Sequence, residues 1–375
     1  MLWNLGDRFW WMLVQSFPLS VLMALIAIQP TYGQIVPDST LGSENSTVSP
    51  NQVVKGSPAD LIEGGAARGA NLFHSFLEFN VNEGQRVYFD NPTGIDRILS
   101  RVTGSDVSDI LGTLGVNGGA DLFFLNPNGI IFGPNARLDL SGSFSASAGQ
   151  AFIFSDGSQF RAVDPNVPPL LTVGVTPGIQ YGSEYPGQIR NEGQLAVNPS
   201  ESLTLVGQTV LNTGGLAAPA GVITLLGDEI TLSNGSHVDA SSGLGGGVVR
   251  IGEDLASTQQ VVIDSGALVE ASGLRIGSGG EVVLEQVSAP GGQVQIQGNL
   301  VVNTGEIRAD GSVGGSVSLQ VDRFLDGGVI RAVGTEGAGG NINVDYQGTV
   351  IQTKFGETLR SEEHTSELQS RIRIS

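Results

Sequence analysis

Asn303-Thr304-Gly305-Glu306-Ile307-Arg308-Ala309 and Asp326-Gly327-Gly328-Val329-Ile330-Arg331-Ala332 are two copies of one pattern: Asn or Asp, x, Gly, x, aliphatic, x, Ala. Each copy is followed by glycines and then by an alternating run, Val317-Ser318-Leu319-Gln320-Val321 after the first and Ile342-Asn343-Val344-Asp345 after the second. Looser copies start at Asn212, Asn234 and Asp264, so the spacing runs from 22 to 39 residues. Short strands that alternate one inward aliphatic with one outward polar residue, turned by Gly and Asn, describe an all-β fold, a right-handed parallel β-helix or β-solenoid. Rungs of roughly 20 residues carrying variable loops accommodate the uneven spacing. At a rise of about 4.8 Å per rung, some 15 rungs extend roughly 70 Å. A β-sandwich is the competing architecture, but it needs tight two-residue hairpin turns, and few are visible.

Composition agrees with a turn-rich chain of lean cores. The 375 residues include 55 glycines and only 6% aromatic residues. All three tryptophans (Trp3, Trp10, Trp11) and all three methionines (Met1, Met12, Met23) lie near the amino end, and cysteine is absent throughout. The lack of cysteine removes disulfides and thiolate metal sites, and spares an exported chain from being locked folded before it crosses a membrane. A formal net charge of -19, with Lys55 and Lys354 the only lysines, excludes nucleic acid as the expected partner, because neutralising phosphates takes clustered basic groups.

Both ends read as separate from the folded body. Residues 9–28 carry no charge and follow Arg8, and small residues at Thr31 and Gly33 suit a signal peptidase, so residues 1–33 are expected to be a cleaved signal peptide rather than a membrane anchor. At the other end, Arg360-Ser361-Glu362-Glu363-His364-Thr365-Ser366-Glu367-Leu368-Gln369-Ser370 reads like a sequencing adapter translated in frame. Residues 360–375 are therefore expected to be an artefact, and the natural chain to continue beyond Leu359.

Between these ends, residues 34–185 are non-repetitive and more aromatic, with period-two runs such as Phe76-Leu77-Glu78-Phe79-Asn80-Val81 and Arg86-Val87-Tyr88-Phe89. An open solenoid end would expose unpaired backbone, so this segment is expected to cap the first rungs, with the solenoid repeats over 186–359. Ile95, Ile98, Leu99 and Val102 have helical spacing, but Gly104, Gly112 and Gly115 argue against a long helix.

Asn126-Pro127-Asn128-Gly129-Ile130 lies between two β-patterned stretches and reads as a turn, since Pro presets φ while Asn and Gly tolerate left-handed backbone. Around it stand Gly69-Ala70-Asn71-Leu72-Phe73-His74-Ser75-Phe76, Ile98-Leu99-Ser100-Arg101-Val102-Thr103-Gly104 and Phe132-Gly133-Pro134-Asn135-Ala136. Together these stretches closely resemble the amino-terminal secretion domain of filamentous-haemagglutinin-like exoproteins, the cargo of two-partner secretion. The resemblance is strongest over 35–149 and continues in repeat style to about residue 350.

The resemblance implies a secreted adhesin-type exoprotein, exported through periplasm and outer membrane to the cell surface. Its partner would be a dedicated outer-membrane β-barrel transporter whose periplasmic receptor domains catch the unfolded cargo. A host-cell or glycan ligand would belong to a region beyond this sequence. Two Asn-Pro motifs mark such domains. Asn126 to Ile130 matches the second in full, whereas Asn91-Pro92-Thr93-Gly94 stands where the family often has Asn-Pro-Asn-Leu. Recognition and folding roles for these corners are both open.

No residues spell out catalysis. Of the three histidines, His364 falls in the suspect tail, His74 in a family-like segment and His237 in a repeat turn, and the latter two are expected to be structural. Gly243-Leu244-Gly245-Gly246-Gly247 lacks the Gly-Lys-Ser/Thr ending of a phosphate loop. No tandem Gly-Gly-x-Gly-x-Asp array for calcium occurs, and no metal or cofactor is expected. The alternatives are a β-helix polysaccharide lyase or hydrolase, with Arg250, Glu270, Arg308 and Arg331 as outward candidates, and a surface fibre without ligand.

Overall fold

Alternation of apolar and polar residues over short runs produces strands throughout, and the computed structural model contains no helix among the residues it describes: 35–165, 178–180, 187–243, 245–252, 258–272, 291–334, 339–346 and 371–374. The expected leader, residues 1–33, and most of the suspect tail, 360–370, lie outside them. The stretch with helical spacing is three strands, Arg97–Val102, Ser108–Ile110 and Thr113–Asn117. Gly104 and Gly112 stand between them, where a Cβ would collide with backbone carbonyls of the rung below.

Strands stack in parallel as three ladders. The first runs through Asn71–Phe79, Arg97–Val102, Asp121–Leu125, Phe144–Ser147, Ser202–Val206, Val222–Leu226 and Val248–Ile251. It continues through the first halves of Gln293–Asn303 and Ser316–Asp326 to Asn341–Tyr346, with Arg371–Ile374 pairing beyond. The second contains Ser108–Ile110, Ile130–Phe132, Gln188–Asn191, Thr209–Asn212, Glu229–Leu232 and Gln260–Ile263, then the second halves of the two long strands. The third leads from Ser57–Gly64 through Arg86–Asp90 and Thr113–Asn117 to Val329–Arg331. This is a parallel β-helix, and the parallel register excludes the sandwich.

From Asn71 to Tyr346 the first ladder makes nine rung-to-rung steps, about 43 Å at 4.8 Å per step, so it has ten rungs rather than the expected 15. The cause is uneven rung length. Leu203 lies directly beneath Ile223, so that rung is short, but Phe144 lies directly beneath Leu203, and the rung between them uses far more chain.

Inward side chains stack in columns. One passes through Leu122, Phe144, Leu203, Ile223, Val249, Val294 and Val317, all essentially without solvent exposure. A second begins with polar residues, His74 and then Ser100, before Phe124, Ala146 and Leu205. The His74 Nδ1 is 3.0 Å from Ser46 Oγ, while its Nε2 and Ser100 Oγ have no partner among the described residues. Burial of the ring holds its pKa down at about 3, so the imidazole is neutral.

The repeat pattern marks one corner. Asn212, Asn303 and Asp326 end second-ladder strands, and the aliphatic and Ala of each copy, such as Leu216 with Ala218 and Ile307 with Ala309, point inward on the third. Asn191-Glu192-Gly193-Gln194-Leu195 opens a further copy not singled out in the sequence. Its Asn191 Nδ2 donates to Asn212 Oδ1 at 2.8 Å, and Asn303 Nδ2 donates to Asp326 Oδ1 at 2.8 Å, so these amides bridge successive rungs.

The capping strands occupy 35–68, one of them, Ser57–Gly64, already pairing as the foot of the third ladder, and the first ladder begins at Asn71. Ile35–Pro37 and Ala66–Arg68 pair antiparallel with Asn71–Phe79, and Ser46–Val54 forms a hairpin with Ser57–Gly64. Residues 148–165 and 178–180 make an excursion: Ala151–Ile153 pairs antiparallel with Gln159–Arg161 and Gly178–Gln180. It covers the outside of the first ladder, where Phe73, Leu99 and Leu125 pack against Phe152, Phe154 and Phe160. The aromatic residues of this part of the chain are shared between that second core and the lumen, where Phe76, Phe79, Phe89, Phe124, Phe132 and Phe144 lie.

Arg101 fastens the cover. It is fully buried, donating from Nε to Ser75 Oγ (2.9 Å) and from its terminal nitrogens to Thr40 Oγ1 (2.8 Å) and the Arg161 carbonyl (2.6 Å). Its guanidinium carbon stands 4.2 Å from the centre of the Phe160 ring. Burial lowers its pKa to about 10, against the opposing pull of Asp38, so it stays charged. Burial pushes Asp38 the other way, but hydrogen bonds from Thr103, Ser75 and Thr40 outweigh it and hold the carboxyl below its ordinary value.

The neutral His74 makes the fold acid-sensitive. Its folded pKa lies below the ordinary histidine value of 6.5, so its contribution is present above about pH 6.5 and is lost as pH falls toward 3. Each pH unit in that window should cost about 1.4 kcal/mol. Urea unfolding at pH 6.0 and 4.5 should show this slope in the wild type and a flattened one in His74→Leu. Equal slopes would refute the assignment.

Candidate functional site

The two Asn-Pro motifs occupy different corners. Asn126 to Gly129 turns the first ladder into the second, after Asp121–Leu125 and before Ile130–Phe132; Asn91 to Gly94 follows Arg86–Asp90 and turns the third ladder into the first. The structure does not bring them together into one patch.

Asn126 is fully buried, and all its side-chain bonds serve the turn. Its Nδ2 donates to the Asp106 carbonyl at 3.0 Å and to Ser108 Oγ at 2.9 Å, both in the corner of the preceding rung. Its Oδ1 accepts from the Asn128 N–H at 3.0 Å and from Asn128 Nδ2 at 3.1 Å. Asn128 Nδ2 also donates to the Gly104 carbonyl at 2.8 Å. The turn closes by Gly129 N–H donating to the Asn126 carbonyl at 3.1 Å, an Asx-type corner whose side chain mimics backbone. Pro127 is buried, Asn128 half-buried, and Ile130 points into the lumen. Gly129 has φ +121, and a Cβ there would lie 2.9 Å from the Gln188 carbonyl oxygen of the next rung, so two constraints select glycine.

Asn91 works in the opposite direction. Its Oδ1 accepts from Gly119 N–H at 2.9 Å and Ala120 N–H at 3.0 Å, in the corner of the following rung, while its Nδ2 donates to the Ile95 carbonyl at 2.9 Å. Pro92, Thr93 and Gly94 are exposed. Thus the 126 corner is locked inside the wall, whereas the 91 corner presents its tip to solvent. A third pair, Asn198-Pro199, which the sequence reading passed over, turns the same ladders as Asn91-Pro92, three rungs later, and is exposed. The recurrence of Asn-Pro was its available signal.

The outward residues considered for polysaccharide chemistry do not form one group. Arg250 stands on the first ladder between Thr224 and Gln295. Glu270, Arg308 and Arg331 follow one another in register on the third. Arg308 forks onto Glu306 at 2.5 and 2.6 Å, a contact that raises its pKa, and Arg331 pairs with Asp310 at 3.4 Å. His237 also lies on the third ladder, 3.4 Å from Glu270. The Arg308 and Arg331 guanidiniums are engaged by carboxylates of their own wall.

The sequence profile of the TPS secretion domain matches residues 33–372. Among solved structures, the HMW1 secretion domain from Haemophilus influenzae is similar, with 17% identity, a TM-score of 0.44, and coverage of 85% of this chain and 96% of that one. The filamentous hemagglutinin secretion domain has 14% identity, a TM-score of 0.37, and coverage of 84% and 95%. No curated protein matches significantly.

Exposure separates the two corners energetically. Asn126→Ala leaves buried partners unsatisfied and should cost roughly 2–3 kcal/mol, while Asn91→Ala, partly open to water, should cost about 1 kcal/mol. Chemical denaturation of both variants checks the order, and an equal or reversed pair of values would contradict the burial argument.

Proposed function

The chain belongs to the TPS secretion domain family, the amino-terminal domain of two-partner secretion exoproteins, and from that premise we propose an adhesin-type protein handed through the periplasm to an outer-membrane β-barrel transporter. A cleaved signal peptide at residues 1–33 would deliver the chain unfolded to the periplasm. Receptor domains of the transporter would hold it there, and the solenoid would form outside. The observation that carries this reading is the family match over 33–372.

The physical chemistry supports such a route. Each rung pairs with one laid down a full turn earlier in the chain, as Ile223 does with Leu203, so stable contacts need already folded chain, and non-local pairing is slow. The cap lies at the end that precedes all rungs, which lets the solenoid grow in one direction. Asn126 and Asn128 would act by closing the second rung-corner onto the first rather than by touching the transporter in the folded state, since Asn126 is buried. The exposed Asn91-Pro92 tip is the better candidate for direct contact. This reading involves no catalysis by the portion described.

Co-expression with the partner transporter in a Gram-negative host tests the proposal. Secretion should require the transporter and fall several-fold in Asn126→Ala/Asn128→Ala. Binding of the urea-unfolded variant to isolated receptor domains should remain unchanged if the corner acts in folding. Transporter-independent secretion would sink the two-partner reading, and wild-type secretion of the double variant would remove the corner from the mechanism.

A further inference from the structure

We propose that the outer face of the third ladder carries a divalent transition-metal site formed by His237, Asp239 and Glu270, suited to Zn²⁺. His237 and Asp239 are two residues apart on one strand, so the pleat turns both to the same face. The next rung sets Glu270 beside Asp239 in register. One ligand atom from each of the three lies within 4.8 Å of the others, and His237 Nε2 stands 3.4 Å from Glu270 Oε2. Nitrogen and oxygen ligands about 2.1 Å from a tetrahedral Zn²⁺ are spaced about 3.4 Å from one another.

The donor set decides the class of ion. One imidazole with two carboxylates suits Zn²⁺ or a neighbouring first-row ion, whereas Ca²⁺ takes six to eight oxygens. The surroundings orient the ligands. The Ser241 N–H donates to Asp239 Oδ1 at 2.8 Å, an outer contact of the kind that holds metal-binding carboxylates. Glu270 is only 8% exposed, while the His237 side chain is 39% exposed, so the site opens to water on the histidine side. Arg308, in register one rung beyond Glu270, offsets part of the carboxylate charge. Two carboxylates this close repel, and a divalent cation between them turns that repulsion into attraction. A His237–Glu270 ion pair without metal is the rival explanation of the same contact.

Untagged protein, freed of metal by chelator, is titrated with Zn²⁺ by calorimetry. The expected result is one saturable site per chain and a raised unfolding temperature. His237→Ala and Glu270→Gln should each weaken binding by at least about tenfold while keeping the metal-free circular dichroism spectrum. If a variant loses that spectrum, the wild-type histidine resonances decide: Zn²⁺ must shift those of His237 and leave the buried His74 unmoved. Absence of one-to-one uptake, equal binding by folded His237→Ala, or unshifted His237 resonances overturns the site and leaves the ion pair as the account.

Discussion

Register between rungs is the constraint on which the rest depends. Because side chains alternate with period two, a slip of one residue in any ladder would turn an inward column outward and replace it with Ser, Thr and Gln. Thr204 between Leu203 and Leu205, and Thr224 between Ile223 and Leu225, show how narrow that margin is. Main-chain bonds alone do not distinguish one register from its neighbour. The corner amides do, since Asn191 reaches Asn212, and Asn303 reaches Asp326, only when the rungs are aligned. A buried amide left unpaired costs more than a pairing contributes, so these residues act mainly against wrong alignments.

The first rungs solve a different problem from the later ones. Beyond Ser202 the first ladder faces outward with Thr204, Thr224 and Arg250, which water solvates. In the first rungs the same face is Phe73, Leu99 and Leu125, and it must be covered. The excursion over 148–165 and the cap over 35–68 cover it together, with Arg101 bonded to Thr40 of the cap, Ser75 of the first rung and the Arg161 carbonyl of the excursion. A charged group held at the junction of three segments accepts few alternative arrangements. The same segments also cover the backbone edge that an uncapped solenoid would offer to other chains.

This division bears on export. The covered end needs residues from Asp38 to Arg161 in place, whereas each later rung adds to a surface already formed. A chain without cysteine, whose aliphatics are spread over distant rungs, has little to fold around until the first part is assembled, and is then able to extend by repetition.

Local chemistry was legible in the sequence: the two-residue alternation, the Asn-x-Gly-x-aliphatic-x-Ala corner and the Asn126 turn all follow from neighbours along the chain. The helical spacing at Ile95, Ile98, Leu99 and Val102 was outweighed, as expected, by the glycines that follow. What only the tertiary structure decided is which rung meets which. The rung from Phe144 to Leu203 is far longer than the one from Leu203 to Ile223, so cross-rung neighbours cannot be counted from sequence spacing. For that reason the start of the first ladder at Asn71, the fold-back of the excursion, the opposite directions in which Asn91 and Asn126 bond, and the meeting of His237 with Glu270 from the next rung are properties of stacking and not of the sequence alone.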